Sequence, residues 1–339
     1  MRQGPGRAGL GPGSGPTQGG VAWRSMPPGQ DSAAPLPPRP VLAAVLGVAV
    51  IAISFAAILV RLADGPPLVV ALYRMLIASV VVLPITIRAL RRTPIRGKAA
   101  WLTVAAGASL ALHFATWISS LSFTSIAASV TLVATTPLWV AVIAWLVMGI
   151  APTLGVMIGV VLAVAGAAVI GFTDLTGGSR PLLGDGLALV AGMAAASYFL
   201  IGRSVMRSGV SVGAYVGSAY GVAALFLLPL PLLFGLSYFD YPASTFLWLA
   251  LLALVPQLIG HTGLNFAAKY LSPTLVATVT LAEPIGSGLL ALVFFGEIPS
   301  SNTLLGALLL LLGLVLTIRA SPHTLRSAEA EPVTLHEAS

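Results

Sequence analysis

Residues 132–150, LVATTPLWVAVIAWLVMGI, and residues 281–297, LAEPIGSGLLALVFFGE, follow one plan. At a constant offset of 147 residues (284 minus 137), Pro137 meets Pro284 and Gly149 meets Gly296. The register holds on both sides without a gap. Ser125 and Thr131 meet Ser272 and Thr278, while Pro152, Gly159 and Gly166 meet Pro299, Gly306 and Gly313. At an offset of 148 (261 minus 113), His113 meets His261. Gly and Pro have specific backbone tasks, so their recurrence predicts matched kinks, helix ends and close helix contacts. The chain therefore contains two copies of one unit.

The solvent of these copies follows from composition. Of 339 residues, 57% are hydrophobic and 8% charged, with a mean hydropathy of +0.99. Soluble domains carry about 25% charged residues. Ten stretches reach the length of about 20 apolar residues that a bilayer core requires: 41–60, 67–87, 99–118, 125–148, 153–172, 184–204, 212–235, 244–267, 273–296 and 302–319. Gly149 with Pro152 and Gly296 with Pro299 mark the tightest junctions, because glycine ends helices and a following proline cannot continue them. The absence of cysteine excludes disulfides and Cys-based metal or redox sites.

Positive charge predicts the orientation. With the N-terminus inside, fourteen of the seventeen Lys and Arg residues fall on the cytoplasmic side, among them Arg88, Arg91, Arg92, Arg96 and Lys98. Arg61 and Arg180 fall outside, and Arg74 lies within a span. Short basic loops stay inside, so both termini are expected in the cytoplasm of the cell (plasma) membrane, and the net charge of +7 requires no nucleic acid. Residues 1–40 hold nine Gly and nine Pro without an apolar run, and read as a disordered cytoplasmic tail. No h-region follows the early arginines, so no signal peptide is expected, and Met26 is a second candidate start. Residues 321–339 read as a solvated tail.

The fold class is thus all-α integral membrane, with helices 1–5 in residues 41–173 and helices 6–10 in 184–320. Five is odd, so the second copy enters from the opposite side. Ten transmembrane helices in two inverted five-helix repeats are an architecture of secondary transporters, with substrate held near the midplane between the repeats.

The two quoted runs resemble the EamA-type repeat of the drug/metabolite transporter superfamily. Gly296-Glu297 followed by spaced Gly306 and Gly313 is similar to that repeat's helix end and turn, and ALYRMLIASVVVLP around Arg74 looks like its second helix. The first copy departs from the pattern with Gly149-Ile150, which lacks the acid. The resemblance implies transport of metabolites or drugs without ATP, often efflux of amino acids or related compounds.

Embedded polar residues are the candidate substrate contacts. Glu283 lies about 16 Å deep at 1.5 Å per residue, beside Pro284, and suits a cationic group, a proton or a packing role. Arg74 lies about 12 Å deep from the external end, a depth compatible with pairing to Glu283; structural pairing or snorkelling to the interface is its first reading. Gln257, His261 and Asn265 are spaced to stack on one α-helical face, matched in the first copy by Ser109, His113 and Trp117. Such converging polar stripes would line a cavity, whereas a lone histidine is more often a hydrogen-bonded structural residue. Pro137 and Pro284 are the expected helix breaks. Glu297 suits a helix end or a gate, and Trp101, Trp145 and Trp248 suit interfacial anchoring.

No catalytic residue, metal site or cofactor is indicated, and the expected partners are a small-molecule substrate, the lipid bilayer and protons. A channel-like pore or a membrane-embedded enzyme is the alternative. Neither a filter-like loop nor a clustered nucleophile and base appears in the sequence.

Overall fold

The computed structural model describes residues 1, 37–148, 152–173, 178–271, 276 and 279–320, and the elements among them are helical. Both tails, Gly149, Ile150, Ser272 and Thr278 lie outside the described residues. Backbone in hydrocarbon must satisfy its own hydrogen bonds, which is why the elements described in so apolar a chain are helices. Among the described residues, seven helical stretches are long and apolar enough to cross a membrane: Arg39–Ala63, Pro67–Arg92, Lys98–Ser120, Ile126–Val147, Pro181–Arg207, Val212–Leu233 and Ala243–Tyr270. Shorter apolar helices, Leu154–Gly166, Glu283–Phe295 and Leu304–Thr317, occupy the sequence positions of the expected fifth, ninth and tenth spans.

In chain order the helices are α1 Arg39–Ser54, α2 Ala56–Ala63, α3 Pro67–Arg92, α4 Lys98–Ser120, α5 Ile126–Val133, α6 Thr136–Met148 and α7 Leu154–Thr173. There follow α8 Pro181–Arg207, α9 Val212–Leu227, α10 Pro229–Leu233, α11 Ala243–Leu252, α12 Thr262–Tyr270, α13 Glu283–Phe295 and α14 Ser301–Ala320. A π-helix, Ala253–His261, joins α11 to α12, and a 3-10 turn, Thr280–Ala282, precedes α13.

The breaks have identifiable causes. Pro137 and Pro284 each occupy the second position of a new helix, α6 and α13, where a missing N–H costs no intrahelical bond. Pro256 inside the π-helix removes another donor from the α ladder. The first span divides at Phe55 without proline or glycine. There Ser287 on α13 donates to the Ser54 carbonyl at 2.9 Å, so the second copy satisfies an acceptor that the break in the first has freed.

The duplicated glycines set the closest helix contact. A Cβ on Gly159 would lie 2.4 Å from the Gly313 carbonyl oxygen, and one on Gly166 would lie 2.4 Å from that of Gly306. As α7 advances, its partner positions on α14 recede, so the two helices run antiparallel. Thr153 donating to the Ala320 carbonyl at 3.1 Å closes one end of the pair. Exchanging the copies by the offset of 147 converts one glycine contact into the other.

Helix ends sort into two groups. Arg61, Ser122, Gly178 and Glu297 surround a cavity of about 660 Å3 at one end. Thr93 bonds Ser211 at 2.8 Å at the other, where the basic stretch from Arg88 to Lys98 lies. The interior holds fully buried Phe114, Tyr198, Tyr215 and Tyr220, while many Leu, Ile and Val side chains face outward. Trp101 and Trp145 are exposed, and Trp248 packs half-buried against the core.

Candidate functional site

The middle of the bundle contains a cavity of about 40 Å3 whose wall includes His113, Trp117, Thr136, Tyr198, His261 and Glu283. Two pairs in that wall are repeat equivalents. His113 corresponds to His261, and their ring centroids are 6.3 Å apart. Thr136 corresponds to Glu283 by the offset of 147, and each begins the helix that its neighbouring proline opens. The cavity therefore sits on the approximate symmetry axis that relates the copies.

Each side chain is held by a local feature. His113 Nδ1 lies 3.0 Å from the Ala191 carbonyl, which accepts only; the ring nitrogen therefore carries the proton. The His113 ring stacks on Trp117 with 5° between planes. Thr136 Oγ1 donates to the Val133 carbonyl, satisfying an acceptor at the break between α5 and α6. Glu283 stands at the start of α13, between the 3-10 turn and Pro284.

Arg74 is fully buried. Its Nε donates to Gln257 Oε1 at 2.8 Å, and its Cζ lies 4.1 Å from the Phe114 ring centroid and 5.6 Å from that of Trp117. The side chain does not snorkel, because α3 presents it to the packed interior between α4 and the π-helix. It makes no salt bridge among the described residues; the expected partner Glu283, in the cavity wall, lies within electrostatic reach of it without bonding to it. The stripe on the eighth span also divides. The π-helix winds more slowly than an α-helix, so Gln257 turns to Arg74, while His261 faces the cavity. Asn265 is buried and donates to the His261 carbonyl at 2.8 Å. Ser109, expected on the matching stripe, donates to its own helix at the Ala105 carbonyl.

Phe114, Tyr198 and Phe199 also belong to this centre. Sequence reasoning passed over them because an aromatic side chain reads as ordinary apolar content. Adjacency of Phe114 to His113 was the available signal. At the wide end of the bundle, Arg61 pairs with Glu297 and lies 5.7 Å over the Phe295 ring, which joins the first copy to the second.

A cavity between the two repeated halves of an apolar helical bundle, with two histidines, a threonine and a glutamate in its wall, is what a membrane transporter requires. The chain belongs to the EamA-like transporter family, whose model matches residues 38–172 and 182–319, within the drug/metabolite transporter superfamily. A curated relative from Bacillus subtilis (strain 168), the uncharacterized transporter YwfM, is 29% identical over 239 residues, covering 68% of this chain and 77% of its own length. A solved crystal structure shares the fold with a TM-score of 0.63 at 18% identity, covering 86% of this chain and 100% of the other.

Proposed function

We propose that this transporter moves a small amino-acid-like metabolite or a related drug out of the cell by alternating access across the cytoplasmic membrane. One observation carries the reading: two repeat-equivalent pairs, His113 with His261 and Thr136 with Glu283, line a single central cavity. A site on the axis between two copies of one fold can face either side by exchanging the copies' conformations. The same proposal holds ten crossings in two inverted units, 41–173 and 184–320, with both termini cytoplasmic. The antiparallel contact of α7 with α14 and the basic residues gathered at one end of the bundle support it.

A cavity of about 40 Å3 admits water but not a metabolite, whose pocket needs about 300 Å3 or more. The structure thus corresponds to a state closed around its centre, with the cavity of about 660 Å3 at the Arg61–Glu297 end as the outer vestibule. Substrate binding widens the centre by moving α6 and α13 about the breaks before Pro137 and Pro284. His113, Trp117, Gln257, His261 and Glu283 contact the substrate as the centre widens, and Asn265 supports them from behind. Proton coupling runs through Glu283 with the two histidines.

Counterflow of a labelled amino-acid panel in proteoliposomes tests the carrier reading. Saturable exchange driven by unlabelled substrate inside is the expected result, and a non-saturating ionic current would replace the carrier with a channel. Glu283→Gln is expected to flatten the pH dependence of exchange. An unchanged pH profile in Glu283→Gln and in the double variant His113→Gln/His261→Gln would remove proton coupling through these groups.

A further inference from the structure

Four buried polar atoms near the cavity have no hydrogen-bond partner among the described residues: Arg74 Nη1 and Nη2, Gln257 Nε2 and His261 Nδ1. Their chemistry is one-sided. Guanidinium nitrogens only donate. The bond from Arg74 Nε requires the amide oxygen of Gln257, which fixes the other amide atom as the Nε2 donor. His261 Nδ1 donates in one of its neutral tautomers and in the cation. A cluster of unmet donors around a buried positive charge is complementary to an acceptor-only, negatively charged group.

No protein carboxylate bonds the guanidinium in this conformation: Glu283 lies within electrostatic reach of Arg74 but makes no salt bridge to it. Arg74 is held by ring faces and one neutral amide, which satisfy neither outer nitrogen. A buried cation so placed is costly unless an anion meets it in some state of the working cycle. Trp117 and His261 form part of the cavity wall, and the Trp117 ring also covers Arg74. A shift of these rings is enough to bring a cavity ligand onto the outer edge of the guanidinium.

We infer that Arg74, Gln257 and His261 form the receptor for a carboxylate of the transported molecule, with Trp117 as the ring that separates or admits it. The planar fork of Nη1 and Nη2 matches two coplanar carboxylate oxygens, and Gln257 Nε2 meets the remaining lone pairs. This inference rests on the central cavity being the substrate site. Substrates of this transporter then carry an obligatory carboxylate. Their amides and esters are excluded because the same donors would stay unmet.

Thermal unfolding of the full-length protein in lipid nanodiscs, with benzoate, benzamide or benzylamine, tests it. These small probes share one ring and differ in the group presented to Arg74. Benzoate is expected to raise the unfolding temperature saturably and the other two are not. Arg74→Gln is expected to weaken benzoate binding at least about tenfold. Arg74→Lys should retain part of it, and Gly221→Ala, whose added Cβ meets nothing within 4 Å, should bind benzoate as the native chain does. If Arg74→Gln elutes as aggregate, Gln257→Ala, which keeps the charge, should still weaken benzoate several-fold. Equal stabilisation by benzoate and benzamide, no stabilisation by benzoate, or undiminished benzoate binding in Arg74→Gln overturns the inference. Exchange measured in parallel keeps the two readings apart. Flux without carboxylate preference removes the receptor and leaves the carrier, whereas carboxylate binding without flux keeps the receptor and removes the carrier.

Discussion

Arg74 bears the largest electrostatic load in the bundle, and its supports are few and specific. Removing the acceptor by Gln257→Ala leaves Nε unmet, which should destabilise the fold by about 1.5–3 kcal/mol. Phe114→Leu removes the ring face 4.1 Å from Cζ, with an expected loss of about 2 kcal/mol from the desolvated cation–π contact beyond any packing change. Unfolding midpoints in denaturant titrations check both, and native-like midpoints would mean that Arg74 is held by something else. At this scale the sequence was legible where polarity is rare. His113, His261, Glu283 and Thr136 could be paired by offset alone, and they do converge on one cavity. The direction in which Arg74 points was not legible. Depth along a helix is fixed by rise per residue, but rotation is fixed by neighbours such as Phe114 and Gln257 that composition cannot rank. Tyr198 was hidden for a related reason: lipid and core are both apolar, so the periodicity that separates inside from outside in a soluble helix fades.

Among the elements, the α7–α14 contact gives the sharpest test, because glycine spacing alone sets its separation. Gly159→Val and Gly166→Val should each lower stability by about 1–3 kcal/mol, since the added carbons meet backbone and Thr317 rather than movable side-chain ends. Gly221→Ala is the control: nothing lies within 4 Å of its added Cβ, so the change should be neutral or stabilising by up to about 1 kcal/mol. Thermal unfolding in detergent checks the series, and a tolerated Gly159→Val would show that the helices are not in the close contact described. Prolines and glycines made most element boundaries readable, including the breaks before Pro137 and Pro284. The division at Phe55 had no such marker; the Ser54 carbonyl beside it is met by Ser287, far along the chain. The π-helix was unreadable as well. Pro256 signals a disturbed ladder, but whether the chain kinks or widens depends on the packing of α1 against Gly260.

Across the whole molecule, the copies are alike in their glycine and proline framework and unlike in their charges. Glu297 pairs with Arg61 beside the cavity of about 660 Å3, whereas its counterpart in the first copy is Ile150. Both partners of the pair are about one-third exposed or less, so Glu297→Gln should change stability by no more than about 1 kcal/mol. Its expected effect is on exchange between states, read as altered counterflow at unchanged unfolding temperature; a large loss of stability would make the pair a structural strut. On the proposed reading, the duplicated framework supplies the movement and the unlike residues supply recognition.

The native chain has no cysteine, so a single thiol can report which side reaches the cavity. The decisive measurement is labelling of Ala134→Cys, in the cavity wall, by a membrane-impermeant thiol reagent added from each side. It is repeated with Arg61→Cys and Glu297→Cys bridged beforehand by a bis-methanethiosulfonate linker. Alternating access predicts labelling from both sides before bridging, and from the cytoplasmic side alone once the vestibule end is held shut. Labelling from one and the same side under both conditions would contradict it.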